Sequence, residues 1–240
     1  SNPMFFDIDG YNSLRSPSAV DTTTKKTVIP LRDIVFEVYA DGVAPETKID
    51  YGDAKLYTAD KKLYTGNGTL ITLTAVDKVS GVENIYYSIN QSPYKPYSQA
   101  IAINEENEYW FKYYATDNVG NVESIHEVTL IYDKSAPITK YEVEGDRFEN
   151  VLSGRSKIVL NADDKGTGVQ SIYYAIDSGS QKIYTTPILA AYLSQDEHSL
   201  RYYAIDNVGN EEQLQSFTFY VDKTPPTIIE EVLGKSFFSE

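Results

Sequence analysis

The chain has no cysteine, one methionine, one tryptophan and two histidines in 240 residues. Without thiols there is no disulfide and no thiolate metal site. The absence leaves the compartment open. Nucleophilic catalysis by serine leans on histidine, and here only His126 and His198 exist. Neither recurs in the other half of the chain, and both read as solvated surface residues. A G-x-S-x-G elbow, an H-E-x-x-H helix and a phosphate-binding glycine loop are all missing. Basic residues are also in deficit: 21 Lys and Arg stand against 35 Asp and Glu, a net charge of −14. Clustered cations are what grip nucleic acid or an anionic membrane surface, so both are excluded as partners. No apolar run approaches the roughly 20 residues that span a bilayer, and no signal peptide is visible. Composition therefore predicts a protein with no catalytic residues of its own.

What is present is a repetition. Residues 76–87 read VDKVSGVENIYY and residues 163–174 read DDKGTGVQSIYY. Tyr113–Asn121 reads YYATDNVGN and Tyr202–Asn210 reads YYAIDNVGN. Gly81 and Gly168 are 87 residues apart, Asp117 and Asp206 are 89 apart. A period near 90 is too long for a solenoid unit and suits a small all-β domain with its own core. Asp41-Gly-Val-Ala-Pro45, Asp133-Lys-Ser-Ala-Pro137 and Asp222-Lys-Thr-Pro-Pro226 punctuate the chain. Proline has no N–H to donate to a ladder, so these read as linkers. They delimit an extension at 1–44, repeats at 45–135 and 136–225, and the start of a truncated third copy at 226–240. The chain reads as an excerpt of a longer array.

Apolar residues alternate with period two inside each repeat. Ile71, Leu73 and Ala75 match Ile158, Leu160 and Ala162; Ile85, Tyr87 and Ile89 match Ile172, Tyr174 and Ile176. Phe111, Tyr113 and Ala115 match Leu200, Tyr202 and Ala204; Val128, Leu130 and Tyr132 match Phe217, Phe219 and Val221. One face is kept and the other drifts, as in a sandwich with one side packed and one wet. Helical periodicity is weak; Thr186–Ser194 allows one turn. Residues 1–33 read as extended linker or as part of a preceding domain. Residues 34–40 (IVFEVYA) read as a last strand that needs a partner, because an open apolar edge invites aggregation.

Gly-Val-x-x-Ile-Tyr-Tyr, then Tyr-Tyr-Ala-x-Asp-Asn-Val-Gly-Asn, then Tyr/Val-Asp-Lys-x-x-Pro resembles bacterial Ig-like domains. It is similar to repeats of spirochaete outer-membrane surface proteins and to modules appended to secreted enzymes. The Phe111–Gly120 stretch also resembles a strand of fibronectin type III domains. The resemblance covers both repeats and implies tandem Ig-like or fibronectin type III-like β-sandwiches. It further implies an exported, non-catalytic module at the cell surface or outside the cell. Such a module spaces or displays partners: a host or matrix protein, or a glycan. An accessory carbohydrate-binding module of a secreted glycan-active enzyme is the alternative. A hydrolase is a third, with no residues to support it. Residues 1–33 match nothing in this pattern.

Two constellations are candidates for function. In an Ig-type sandwich the loops holding Asp77 and Asp117 flank the linker holding Asp41. Those with Asp163, Asp164 and Asp206 flank the linker holding Asp133. Three or more carboxylates at a joint is the composition a structural Ca²⁺ needs, since it takes six to eight oxygens. The competing reading is that Asp, Asn and Gly simply build a tight turn. The second constellation is aromatic. Tyr86, Trp110 and Tyr114, with Tyr173, Tyr203 and Tyr220, should face outward from one sheet. Exposed rings anchor a protein partner or stack on sugars, or only pair across strands. Trp110 stands out because its counterpart is Ser199.

Overall fold

The computed structural model describes residues 9–16, 21, 23–27 and 34–230. Among these the secondary structure is strand apart from one 3-10 turn at Ala190–Tyr192. That turn falls inside the segment where the sequence allows one. No helix is long and apolar enough to cross a membrane among the described residues. The chain divides into two units, Ser1–Lys134 and Ser135–Glu240.

The first unit begins with a hairpin-like pair, β1 (Gly10–Ser16) and β2 (Ile34–Ala40). They run antiparallel, with Gly10 opposite Ala40 and Ser16 opposite Ile34. The apolar strand at 34–40 thus has its partner, and residues 10–16 are strand rather than linker. Then come β3 (Glu46–Asp50), β4 (Leu56–Ala59), β5 (Lys62–Thr65), β6 (Leu70–Val76), β7 (Val82–Ile89), β8 (Lys95–Pro96), β9 (Ile101–Ala102), β10 (Asn107–Asp117) and β11 (His126–Tyr132). β3, β6 and β9 form a three-stranded sheet. The facing sheet has the order β4-β5-β11-β10-β7-β8. All pairings are antiparallel except β5 with β11, which is parallel.

The second unit repeats the plan. Its strands are β12 (Ile138–Glu144), β13 (Arg147–Phe148), β14 (Val151–Ser153), β15 (Lys157–Asp163), β16 (Val169–Ile176), β17 (Lys182–Ile183), β18 (Ile188–Leu189), β19 (Glu197–Asp206) and β20 (Gln215–Asp222). The three-stranded sheet is β12-β15-β18; the six-stranded sheet is β13-β14-β20-β19-β16-β17. β14 and β20 pair in parallel.

Each unit has its own core. Ile71, Leu73, Phe111, Tyr113, Leu130 and Tyr132 are buried together, with Ile85, Tyr87 and Val128 packed at the margin. Their counterparts Ile158, Leu160, Leu200, Tyr202, Phe217, Phe219 and Val221 fill the other, with Ile172 and Tyr174 at its margin. Alternate residues of the four longest repeated strands therefore point inward, and the protein is all-β, in two sandwiches. Residues 226–230, where a third copy was expected to start, carry no strand; 231–240 lie outside the described residues.

Candidate functional site

The Asp-Asn-Val-Gly-Asn loops are built by their own side chains. Asp117, fully buried, accepts at Oδ1 from the N–H of Val119 and Asn121, and at Oδ2 from Asn121 Nδ2. Asn118 Nδ2 donates to the carbonyls of Ser80 and Gly81. Gly120 takes φ +96°, a region glycine adopts at no steric cost. The second unit copies each bond with Asp206, Val208, Asn210 and Asn207, and with Gly209 at φ +92°. Burial pushes the Asp117 carboxyl up. The Asn121 side chain and the amides of Asn121, Val119 and Gly120 outweigh it and hold it below the usual carboxylate value. The tight-turn reading of these loops is therefore correct in both copies.

The cation reading stands beside it in the first unit. One carboxylate oxygen each from Asp41, Asp77 and Asp117 lies within 4.8 Å of the others. β2 leads into Asp41, β6 into Asp77, and β10 ends on Asp117. Asp77 Oδ1 accepts from Val79 and Gly81; Asp41 Oδ2 accepts from Ser80 N–H at 2.9 Å. The Ser80 hydroxyl is buried with no hydrogen-bond partner among the described residues. A cleft of about 340 Å³ borders the group and includes Asp9, whose carboxylate accepts from Gly42 N–H. The donor set is hard oxygen throughout, which fits Ca²⁺ and not a soft metal.

The second repeat carries equivalents of these residues. Asp133 is buried in the first unit, its N–H donating to Thr65 O. Asp164 and Asp206 belong to the second. Asp164 is the counterpart of Asp77, accepting from Gly168 N–H as Asp77 does from Gly81. Asp163 is instead the exposed last residue of β15, opposite Ile138.

The outward aromatics lie on the six-stranded sheets. Tyr86 stacks on Tyr114 at 5.3 Å, and Tyr94 meets Tyr114 edge-on at 5.1 Å. Trp110 is 36% exposed and covered on one face by the Lys112 ammonium, 4.2 Å from its centroid. In the second unit Tyr173 stacks on Tyr203 at 5.3 Å, and Tyr220 is exposed. Cross-strand pairing is thus present, and Trp110 keeps an accessible face.

Two further constellations carry no obvious signal in one copy of the sequence. Glu123 is buried and accepts from the N–H and hydroxyl of Thr47, from Ala115 N–H, and lies 2.7 Å from His126 Nε2. It joins β3 of one sheet to β10 of the other. Glu212 does the same between Thr139 and Ala204. Comparing the repeats reveals both: each Glu follows the Asn of the loop by two residues, and each Thr follows the linker Pro by two.

His198 corrects the sequence reading. It is 6% exposed, inside β19, not in a solvated turn. Its Nδ1 lies 2.8 Å from Asp177 Oδ2, and its Nε2 3.1 Å from Ser194 O and 3.3 Å from Ser194 Oγ. These are the residue types of a Ser–His–Asp triad, with the Ser194 carbonyl nearer to Nε2 than the Ser194 hydroxyl. Burial pushes the imidazole pKa down; the Asp177 carboxylate and the Ser194 carbonyl outweigh it and hold it above the usual value. Nδ1 and Nε2 each face an acceptor, the Asp177 carboxylate and the Ser194 carbonyl, a geometry that supports protonation of the ring. His126 begins β11, partly exposed and stacked on Tyr113 at 5.0 Å.

No family model matches the sequence, and no curated protein matches it. Among solved structures the chain is similar to the fibronectin(III)-like modules of Clostridium thermocellum CbhA, at 14% identity and a TM-score of 0.42. That match covers 78% of this chain and 100% of the other. It is also similar to the D00-D0 domain of intimin, at 11% identity and a TM-score of 0.28, over 74% of this chain and 100% of that one.

Proposed function

We propose that this chain is a pair of non-catalytic Ig-like modules of an exported bacterial protein, acting as spacer and as ligand-binding unit. One observation carries the reading: each repeat closes its own core and clamps its two sheets with a buried glutamate. Each is therefore built to stand as a module. The outward rings of Tyr86, Trp110 and Tyr114, and of Tyr173 and Tyr203, are what it offers to a host or matrix protein or to a glycan. His198 turns Nε2 to the Ser194 carbonyl at 3.1 Å as well as to the hydroxyl at 3.3 Å, which does not favour its use as a base toward Ser194. The test is a binding panel of immobilised matrix proteins and glycans with wild type and Trp110→Ala. A bound partner lost in the variant supports the reading. Turnover of an ester or glycoside, abolished by Ser194→Ala, overturns it.

A second reading is favoured by Asp41, Asp77 and Asp117. Structural Ca²⁺ there ties the segment entering the first sandwich to its loops. The unpartnered Ser80 hydroxyl beside Asp41 supports it, and so do Asp133, Asp164 and Asp206 at the equivalent sequence positions. A glycan-binding accessory role is a third reading, supported by a cleft that Tyr203 borders together with Gln181, Arg201 and Glu211.

A further inference from the structure

Gly179, Gln181, Arg201, Tyr203, Glu211 and Leu214 line a cleft of about 410 Å³ in the second unit. Small-molecule sites span about 300–1,000 Å³. The inward residues of β19 are Leu200, Tyr202 and Ala204, so Arg201 and Tyr203 project from the outer face.

The first unit shows what the second has changed. The repeat places Lys112, Tyr114, Val122 and Ile125 where the second unit has Arg201, Tyr203, Glu211 and Leu214. Strand pairing sets Lys95 opposite Tyr87 and Lys182 opposite Tyr174, so Tyr94 is the counterpart of Gln181. In the first unit these groups satisfy one another. Tyr94 packs on Tyr114, and Lys112 pairs with Glu127 at 2.6 Å while covering Trp110. In the second unit Ser216 replaces Glu127 and Ser199 replaces Trp110. Arg201 makes no ion pair among the described residues; its Nη2 donates to Asp177 O at 2.8 Å. Gln181 Nε2 donates to the Tyr203 hydroxyl at 2.6 Å, which leaves the carboxamide oxygen as an acceptor. Val122 has become Glu211, exposed and with no ion pair among the described residues.

The wall of the cleft is held in place. Asp177 sits at φ +52° at the root of the 177–181 turn. Its carboxylate accepts from His198 Nδ1 and Ser199 N–H, and its own N–H donates to Ser199 O. A Cβ added to Gly179 would come within 2.8 Å of Ile176 O, so the turn takes glycine there. Preorganisation of this kind lowers the entropy that binding must spend.

The lining selects among ligands. An anion meets Glu211 and the net charge of −14; a cation meets Arg201. An apolar ligand would desolvate both charges without partners. A sugar hydroxyl donates and accepts at once, so it bonds guanidinium, carboxylate and carboxamide together, while an aromatic ring takes its apolar C–H face. We infer that this cleft is a binding site for a neutral sugar residue of a glycan. The inference rests on the accessory glycan-binding reading and names the site for it.

The test uses the full chain, ¹⁵N-labelled. Glucose, galactose, mannose, N-acetylglucosamine and their di- and tetrasaccharides are titrated in. The expected result is saturable shifts at residues 179–181, 201–203 and 211–214, including the Gln181 side-chain amide. Glu211→Gln, which keeps shape, and Tyr203→Ala each weaken the affinity at least tenfold. A thermal melt of each variant separates lost binding from lost folding. Saccharide binding that shifts residues 86, 110 and 114 and ignores Glu211→Gln overturns this site while the glycan reading stands. No shift with any saccharide overturns both.

Discussion

Glu123 holds Thr47 by two bonds, 2.7 Å from its N–H and 2.6 Å from its hydroxyl, across 76 positions of sequence. Removing the carboxylate strands three donors in the interior: the Thr47 N–H and hydroxyl and the Ala115 N–H. A buried donor left unsatisfied costs about 1–3 kcal/mol. Glu123→Ala is expected to destabilise the first unit by about 3 kcal/mol, and Thr47→Val by about 1 kcal/mol, in urea unfolding. Glu212→Ala should cost the second unit a similar amount. A loss below about 0.5 kcal/mol in either Glu variant would contradict the clamp.

Acid should release the same clamp. Burial pushes the Glu123 carboxyl up, but Thr47, His126 and Ala115 donate to it and hold it below its usual 4.5. A depressed carboxylate contributes fully above its unfolded value and loses that contribution as pH falls through the folded one. Stability of the first unit should therefore decline below pH 4.5, and Asp117, held below its usual 3.8, should deepen the decline. In Glu123→Gln the urea midpoint should change less between pH 6 and pH 2.5 than in wild type.

His198 has the opposite sign. Its folded value lies above 6.5, so its contribution is complete below pH 6.5 and fades as pH rises through the folded value. The melting gap between wild type and His198→Gln should be wider at pH 5.5 than at pH 8.5. An NMR titration of the imidazole should give a midpoint above 6.5; one at or below that value refutes the Asp177 pairing.

Calcium should raise the melting temperature of the first unit. A ligand at 100 times its Kd adds about 2.7 kcal/mol to the folded state. The rise should appear with millimolar Ca²⁺ against chelator and be abolished by Asp77→Asn. Equal melts in the two buffers would remove the cation reading.

The aromatic face of the first unit should behave as cross-strand pairing plus one free surface. Tyr86→Ala breaks the stack with Tyr114, worth about 0.5–1.5 kcal/mol beyond area. Trp110→Ala should change stability by less than Tyr86→Ala, because its Lys112 contact is exposed. Thermal melts of the two variants check this order.

The strands at Ile71–Ala75, Ile85–Ile89, Phe111–Ala115 and Val128–Tyr132 were legible because burial on one face enforces period two. The loop geometry was legible because Gly120 and Gly209 do what only glycine does cheaply. β1 was not legible, since Gly10-Tyr-Asn-Ser carries no alternation and its register comes from a partner 18 to 30 residues on. β8, β13 and β17 are two residues long and leave no period to read. Glu123, Glu212 and His198 were misplaced or passed over for one reason. A charged residue in a polar run looks solvated, and only the tertiary partner reveals that it is buried.

The Thr47–Glu123 bond also decides how the first sandwich answers a pull. Tension arriving along the chain at Pro45 meets Thr47 two residues later and passes through the carboxylate to Ala115, in the middle of the opposite sheet. The parallel ladder of Leu63–Thr65 with Leu130–Tyr132 takes the other end in shear, so its bonds are strained together rather than unzipped one by one. A module so wired is expected to resist extension more firmly above the acid range than once Glu123 takes a proton.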